Sequence, residues 1–343
     1  MAAMADRDVQ ALQSYVSAVT GCSPARVTGA TRFDNGNRHA VYKVSYLAPT
    51  NGTEDVVVRV SFGGGPEECL QAEREAAVLG KVGGTAAPVL YDFRCSSEWF
   101  RTPSMCMQFV AGHQTDLGSA AAEQIELLGS VVARVHGCPA EDLVDGQATA
   151  DNLATYAEAR LHSILSTLRW LHDPVPAAVQ SALMGAANLV QKSWEEARDA
   201  PCFRSGASLA LLHGDIAPGN ILWGPHPVLI DWEYSRLGDP ADEIAYLFDQ
   251  NGLTLSQRSA FWLGYEQAFS GGQALFGQVL DRVKWWEPLA LLGSALWWVE
   301  RWVRRAAAEA TGRVDPEVPK ETGYYSGNVI RRLGRLDRLL TGQ

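Results

Sequence analysis

Between His39 and Phe62 the chain runs twice through β-branched and aromatic residues, HAVYKVSYL and EDVVVRVSF, with APTNGT between them. A Pro/Asn/Gly break between two such runs predicts a hairpin. The next segment, EECLQAEREAAVLGKV (Glu67–Val82), follows Pro66 and stops before Gly83 and Gly84, which predicts a helix. PVLYDF and SMCMQFV (Ser104–Val110) read as two more strands, and AGHQTD as the loop after them. Ahead of all this, Asp6–Thr20 has apolar residues at helical spacing.

Beyond the loop the texture turns helical, with helices expected at about 121–137, 152–171, 177–198, 241–249, 256–269, 281–309 and 325–340. One stretch interrupts them: LLHGDIAPGNILWGPHPVLIDWEYSRLGDPADE (Leu211–Glu243), read as strand, loop, strand. The expected architecture is α+β and two-lobed. A β-rich lobe over residues 1–111 is followed by a mainly helical lobe over 112–343, with a crossing segment near Gln108–Gly112. A ligand is expected in the crevice between lobes. No repeat period is visible, which excludes a repeat scaffold.

The formal net charge of −10 argues against nucleic acid, whose phosphates are met by basic stripes, and is compatible with cationic small molecules. No apolar run reaches a membrane span, and Asp6 and Arg7 precede any long apolar run, unlike a signal peptide. The cysteines (22, 69, 95, 106, 138 and 202) contain no CxxC pair, so neither a metal nor a redox reading has support, and a reduced, cytoplasmic protein is expected.

In the interrupting stretch, two short apolar runs, Ala210–Leu212 and Val228–Ile230, each lead into charged residues. A buried carboxylate without a partner is costly, so this placement suggests a site. Phosphoryl transfer needs a carboxylate to receive or orient a hydroxyl proton, and hard oxygen ligands for Mg²⁺. Asp215 suits the first need; Asn220 and Asp231 suit the second, with Gly214, Pro218 and Gly219 making a tight loop.

The spacing His213-Gly-Asp215-x4-Asn220, then Asp231-Trp-Glu233 and LGDPADEIAYL (Leu237–Leu247), resembles the aminoglycoside phosphotransferase family, which includes choline and other small-molecule kinases. The resemblance implies a protein-kinase-like fold and transfer of the γ-phosphoryl group of ATP or GTP, with Mg²⁺, to a hydroxyl of a small molecule. An antibiotic is the leading acceptor. The alternatives are a metabolic kinase of choline, homoserine or sugar type, or a catalytically silent nucleotide-binding protein. Asp215 is implied as catalytic base or hydroxyl-orienting group, with His213 bracing its loop; Asn220 and Asp231 are implied as metal ligands. Glu233 either reaches a metal through water or holds the loop.

On the nucleotide side, Arg59 in VVVRV is implied as phosphate clamp and Glu75 as its partner, with Glu73 solvated. The backbone of Gln108 to Val110 is implied to bond the base. FDNGNRHAVYKV departs from a Gly-rich loop: Asn37, Arg38 or His39 contacts phosphates, or the segment is a plain Asn-Gly turn. Trp285, Trp286, Trp297, Trp298 and Trp302 read mainly as core, with an aromatic substrate wall as the other reading. Asp239, Glu266, Asp281, Glu287 and Glu300 are candidate pocket carboxylates, Glu300 alternatively pairing with Arg304.

Overall fold

A computed structural model describes residues 6–33, 38–49, 52–140, 152–204, 209–313, 315 and 317–341. Its contacts divide the chain into two compact units. One comprises Met1–Leu143, His213–Ser235 and Ala260–Ala268; the other comprises Val144–Leu212, Arg236–Ser259 and Phe269–Gln343.

In the first unit, α1 (Asp6–Thr20) precedes a five-stranded antiparallel sheet of β1 (Val27–Phe33), β2 (His39–Leu47), β3 (Thr53–Ser61), β4 (Leu90–Arg94) and β5 (Ser104–Gln108), ordered β1-β2-β3-β5-β4. The expected hairpin is present, pairing His39 with Ser61 and Leu47 with Thr53. Alternation along these strands sorts their side chains between two faces. Tyr42, Val44 and Tyr46 of β2, Val56 and Val58 of β3 and Cys106 of β5 form one core with Leu12, Tyr15 and Val16 of α1. Each fully buried side chain of this kind contributes about 1.5–3 kcal/mol. The other face carries Val41, Lys43, Val57 and Arg59. β1 has no counterpart among the sequence expectations, because in VTGATRF only Val27 is buried and no alternation results.

α2 (Pro66–Val82) follows, with Ala72, Ala76, Val78, Leu79 and Val82 buried, and Glu75 buried among them. The expectation of unconnected cysteines fails here. Cys69 of α2 and Cys95, just past β4, form a disulfide with Cα atoms 5.4 Å apart. A pairing across 26 residues leaves no spacing signature of the CxxC kind.

α3 (Ala122–His136) meets the second half of α8 (Leu255–Ala268) through glycines. A Cβ on Gly264 would be driven into the Glu126 carbonyl, and one on Gly129 into the Phe261 carbonyl. The close approach also lets Ser130 Oγ donate to the Gly264 carbonyl at 2.9 Å. Gly264→Ala therefore lowers stability by about 1–3 kcal/mol despite its better helix propensity. Denaturant titration checks this, and an unchanged midpoint would contradict the backbone contact.

The second unit holds α4 (Leu153–Ser166), α5 (Ala177–Ala197), α6 (Pro201–Arg204), the paired β6 (Ala210–Leu212) and β9 (Arg236–Gly238), α7 (Pro240–Asn251), α9 (Gly272–Thr311) and α10 (Thr322–Thr341). The remaining short pair, β7 (Ile221–Leu222) with β8 (Val228–Leu229), belongs to the first unit. α9 begins before its expected start at 281 and runs on through Pro288. Trp285, Trp286 and Trp302 on it are buried, in accord with the core reading, whereas Trp297 is exposed beneath the Arg301 guanidinium.

Of the candidate pocket carboxylates in this unit, Asp239 is structural. Asp239 is fully buried, caps α7 through the Ala241 N–H, and receives Arg282 Nε at 2.8 Å, Arg282 Nη2 at 3.0 Å and Trp286 Nε1 at 2.8 Å. Glu287 pairs with Arg258 and Asp281 with Lys284. Arg304 turns to Asp315 and Glu317 rather than to Glu300. Among the described residues, no helix is long and apolar enough to cross a membrane.

Candidate functional site

The expected catalytic, metal-ligating and nucleotide-binding residues, Asn37 apart, lie in the first unit's described residues; Asn37 is outside them. The loop after β6 is held by its own side chains. His213 has no solvent exposure; its Nε2 donates to the Ile230 carbonyl at 2.9 Å and its Nδ1 accepts the Asp215 N–H at 3.2 Å. Those two bonds define one tautomer and tie the Asp215 loop to the segment entering Asp231. Trp232 packs on the imidazole, with ring centroids 4.5 Å apart.

Asn220 ends a short 3₁₀ turn over Pro218–Asn220. Its Nδ2 donates to the Asp215 backbone carbonyl and to Asp215 Oδ2, both at 2.9 Å. With the amide nitrogen directed at Asp215, Oδ1 is the atom available as a hard oxygen ligand. Asp231 follows β8 at φ 66°, the single non-glycine residue with positive φ among those described. Aspartate tolerates this conformation better than most residues, though at a cost of about 1–3 kcal/mol when imposed. Such strain at the end of a short strand re-aims one side chain.

On the sheet, Arg59 is buried and forms a fork with Glu75 of α2. Nη1 reaches Oε1 at 2.8 Å, and Nη2 also bonds Oε2. The same guanidinium lies 3.8 Å from Asp231 Oδ1. Burial works against its charge, but Glu75 outweighs that and holds Arg59 cationic. Glu73, one turn-face away, is exposed.

Asp231 stands among more negative than positive charge. Its pKa is pushed up to about 6, first by enclosure among protein atoms and then by Glu233, with Arg59 pulling the other way and Glu75 and Asp215 adding to the rise. Nearly half of its side-chain surface still meets solvent. Several carboxylates around one guanidinium leave a charge deficit that a divalent cation corrects, and Asn220 Oδ1 with Asp231 forms a hard donor set suited to Mg²⁺. The residues present therefore fit the metal.

The flanking contacts were not legible in the sequence. Arg38 Nη1 reaches Glu233 Oε2 at 3.5 Å. Gln114 donates to the Gly219 carbonyl, and His113 pairs by backbone with Trp223, tying the segment after β5 to the Asp215–Asn220 loop. The pKa of His39 is lowered to about 4 by burial and then by the Arg59 charge. The Gln108 side chain accepts the Val89 N–H at 3.3 Å, and the Gln108 backbone N–H donates to the Val89 carbonyl at 2.8 Å. A cavity of about 460 Å³ opens beside this array, walled by Arg38, Phe62, Glu67, Glu68, Glu75 and Glu233.

Solved structures share this fold. A protein of Ralstonia eutropha JMP134 assigned to the aminoglycoside phosphotransferases superposes with TM-score 0.63 at 13% identity, covering 97% of this chain and 98% of that one. A choline/ethanolamine kinase family protein from Mesorhizobium loti gives 0.56 at 17% identity, covering 97% and 95%. A thermostable aminoglycoside phosphotransferase mutant, in ternary complex with ADP and hygromycin B, gives 0.59 at 13% identity, covering 96% and 98%. No curated protein sequence matches. The antiparallel sheet with its Arg59–Glu75 fork, and the loop pair that carries Asp215, Asn220 and Asp231, lie within residues 29–286, over which the family model matches; the chain belongs to the Phosphotransferase enzyme family.

Proposed function

We propose that this phosphotransferase moves the γ-phosphoryl group of ATP or GTP to a hydroxyl of a small molecule, with an antibiotic as the leading acceptor. The observation that carries the reading is the coupling of Asp215 to Asn220 beside the Arg59–Asp231 contact. It groups a carboxylate for the acceptor, hard oxygen donors and a phosphate-binding cation.

In this reading residues 1–111 bind the nucleotide, and residues 112–343 supply the catalytic loop and hold the acceptor. Asp215 accepts the hydroxyl proton or orients the hydroxyl for in-line attack, and Asn220 fixes its carboxylate. His213 keeps the loop on the Asp231 segment. Arg59, locked by Glu75, clamps the outgoing phosphates as a planar fork. The backbone of Gln108–Val110 holds the base. Asn220 and Asp231 hold Mg²⁺, which supplies neutralisation of the phosphate charge.

An amine-bearing acceptor is compatible with the formal net charge of −10. The same charge is compatible with a second reading, a metabolic kinase of choline or homoserine type. Incubation with Mg²⁺ and ATP or GTP, against aminoglycosides, macrolides and amino alcohols, separates them by product mass. One added phosphoryl group on an antibiotic, absent when Mg²⁺ is chelated, supports the first reading. Phosphorylation of amino alcohols alone supports the second. Nucleotide binding with no acceptor phosphorylated, or no nucleotide binding at all, removes both.

A further inference from the structure

The N-terminal end of α2 follows a run of three glycines, Gly63, Gly64 and Gly65, and its N-cap, Gly65, makes no side-chain capping bond. A glycine run gives that entry little resistance to movement. Yet this helix carries Glu75, which fixes Arg59 in β3. The covalent tie is Cys69–Cys95: Cys69 lies in the first turns of α2, and Cys95 directly follows β4, which pairs with β5, itself paired with β3 across Arg59 and Met105. The bridge thus anchors the loosely entered end of α2 to the sheet that holds its partner. Both cysteines are half-buried, which leaves them within reach of a small thiol.

We propose that Cys69 and Cys95 are a reversible thiol–disulfide site that controls the order of α2 and, through it, the Arg59–Glu75 fork. The structural half stands by itself; the effect on activity rests on the phosphoryl-transfer reading. The oxidant is a small-molecule disulfide such as oxidised glutathione. One cysteine thiolate attacks it, forming a mixed disulfide and releasing a glutathione thiol; the second displaces the other glutathione. The two protein thiols lose two electrons and two protons, and one glutathione disulfide becomes two thiols. Reduced glutathione in excess runs the exchange backwards. Glu73 has a role in the rate: its Oε1 lies 3.7 Å from Cys69 Sγ, and a carboxylate there disfavours a thiolate at Cys69.

The test compares the full chain, oxidised and reduced with glutathione, by hydrogen exchange over residues 66–82 and by thiol titration. The C69S/C95S variant serves as the locked-open reference. We expect two fewer titratable thiols in the oxidised form and roughly three- to ten-fold faster exchange in the first half of α2 on reduction. We also expect C69S/C95S to match the reduced protein in both glutathione states, and Glu73→Gln to oxidise faster. With an acceptor in hand, reduction raises the nucleotide KM reversibly in wild type and leaves C69S/C95S unaffected. Equal exchange of α2 in both states would overturn the proposal whether or not the chain is an active kinase. So would a reduced pair that holds Zn²⁺ and refuses oxidation, a result that assigns the residues, with Glu73, to a metal site.

Discussion

Asp215→Asn lowers kcat by roughly 10²- to 10⁴-fold while leaving nucleotide affinity unchanged. The substitution is nearly isosteric, and the amide oxygen still accepts from Asn220 Nδ2, now made at 2.9 Å to Oδ2, so the loop keeps its shape. What is lost is the charge that receives or orients the hydroxyl proton. Single-turnover rates with an acceptor that the wild type phosphorylates measure the loss, and circular dichroism confirms the fold. The size of the drop discriminates between roles: a fall near the upper figure marks proton acceptance, and one near the lower marks orientation alone. An unaltered kcat would remove Asp215 from the chemistry.

Arg282→Met in the second unit costs about 3–5 kcal/mol, because it strands a charge that Arg282 now compensates. Asp239 and Arg282 are 0% and 1% exposed, and the guanidinium also donates to the Cys202 carbonyl at 2.9 Å. Trp286 and the Ala241 N–H cannot replace that positive charge. Thermal unfolding should move down by on the order of 10 °C. The Asp239→Asn/Arg282→Met double variant recovers part of the loss, because the remaining amide still caps α7 and carries no charge. A double variant as unstable as the sum of its singles would show that the pair is not energetically coupled.

What could be read ahead follows from how locally each feature is encoded. Helix α2 announces itself through Pro66 at its start and Gly83 behind it, and the β2–β3 hairpin through the APTNGT break. Asp215, Asn220 and Asp231 lie within seventeen residues, so their spacing is visible in the chain. β1 is a strand because β2 pairs with it, and VTGATRF offers no alternation of its own. Asp239 looked like a free carboxylate because Arg282, its counter-charge, is forty-three residues away and on another helix. Cys69 and Cys95 were separated by a helix and a strand, and only folding brings them together. Arg59 and Glu75 are sixteen residues apart, on a strand and a helix; there the sequence resemblance, rather than any local pattern, named the pair.

The family match starts at residue 29, whereas Leu12, Tyr15 and Val16 of α1 are already at the centre of the sheet's outer core. At the other end the match stops at 286, inside α9, and α10 lies wholly beyond it. The segment inherited recognisably from the family is therefore smaller than the segment that can fold. A chain trimmed to the inherited limits would lose the helix that covers Tyr42, Val44 and Tyr46, and would present a bare apolar β-surface to other molecules. In this protein a helix outside the family match covers an apolar face of the sheet inside it.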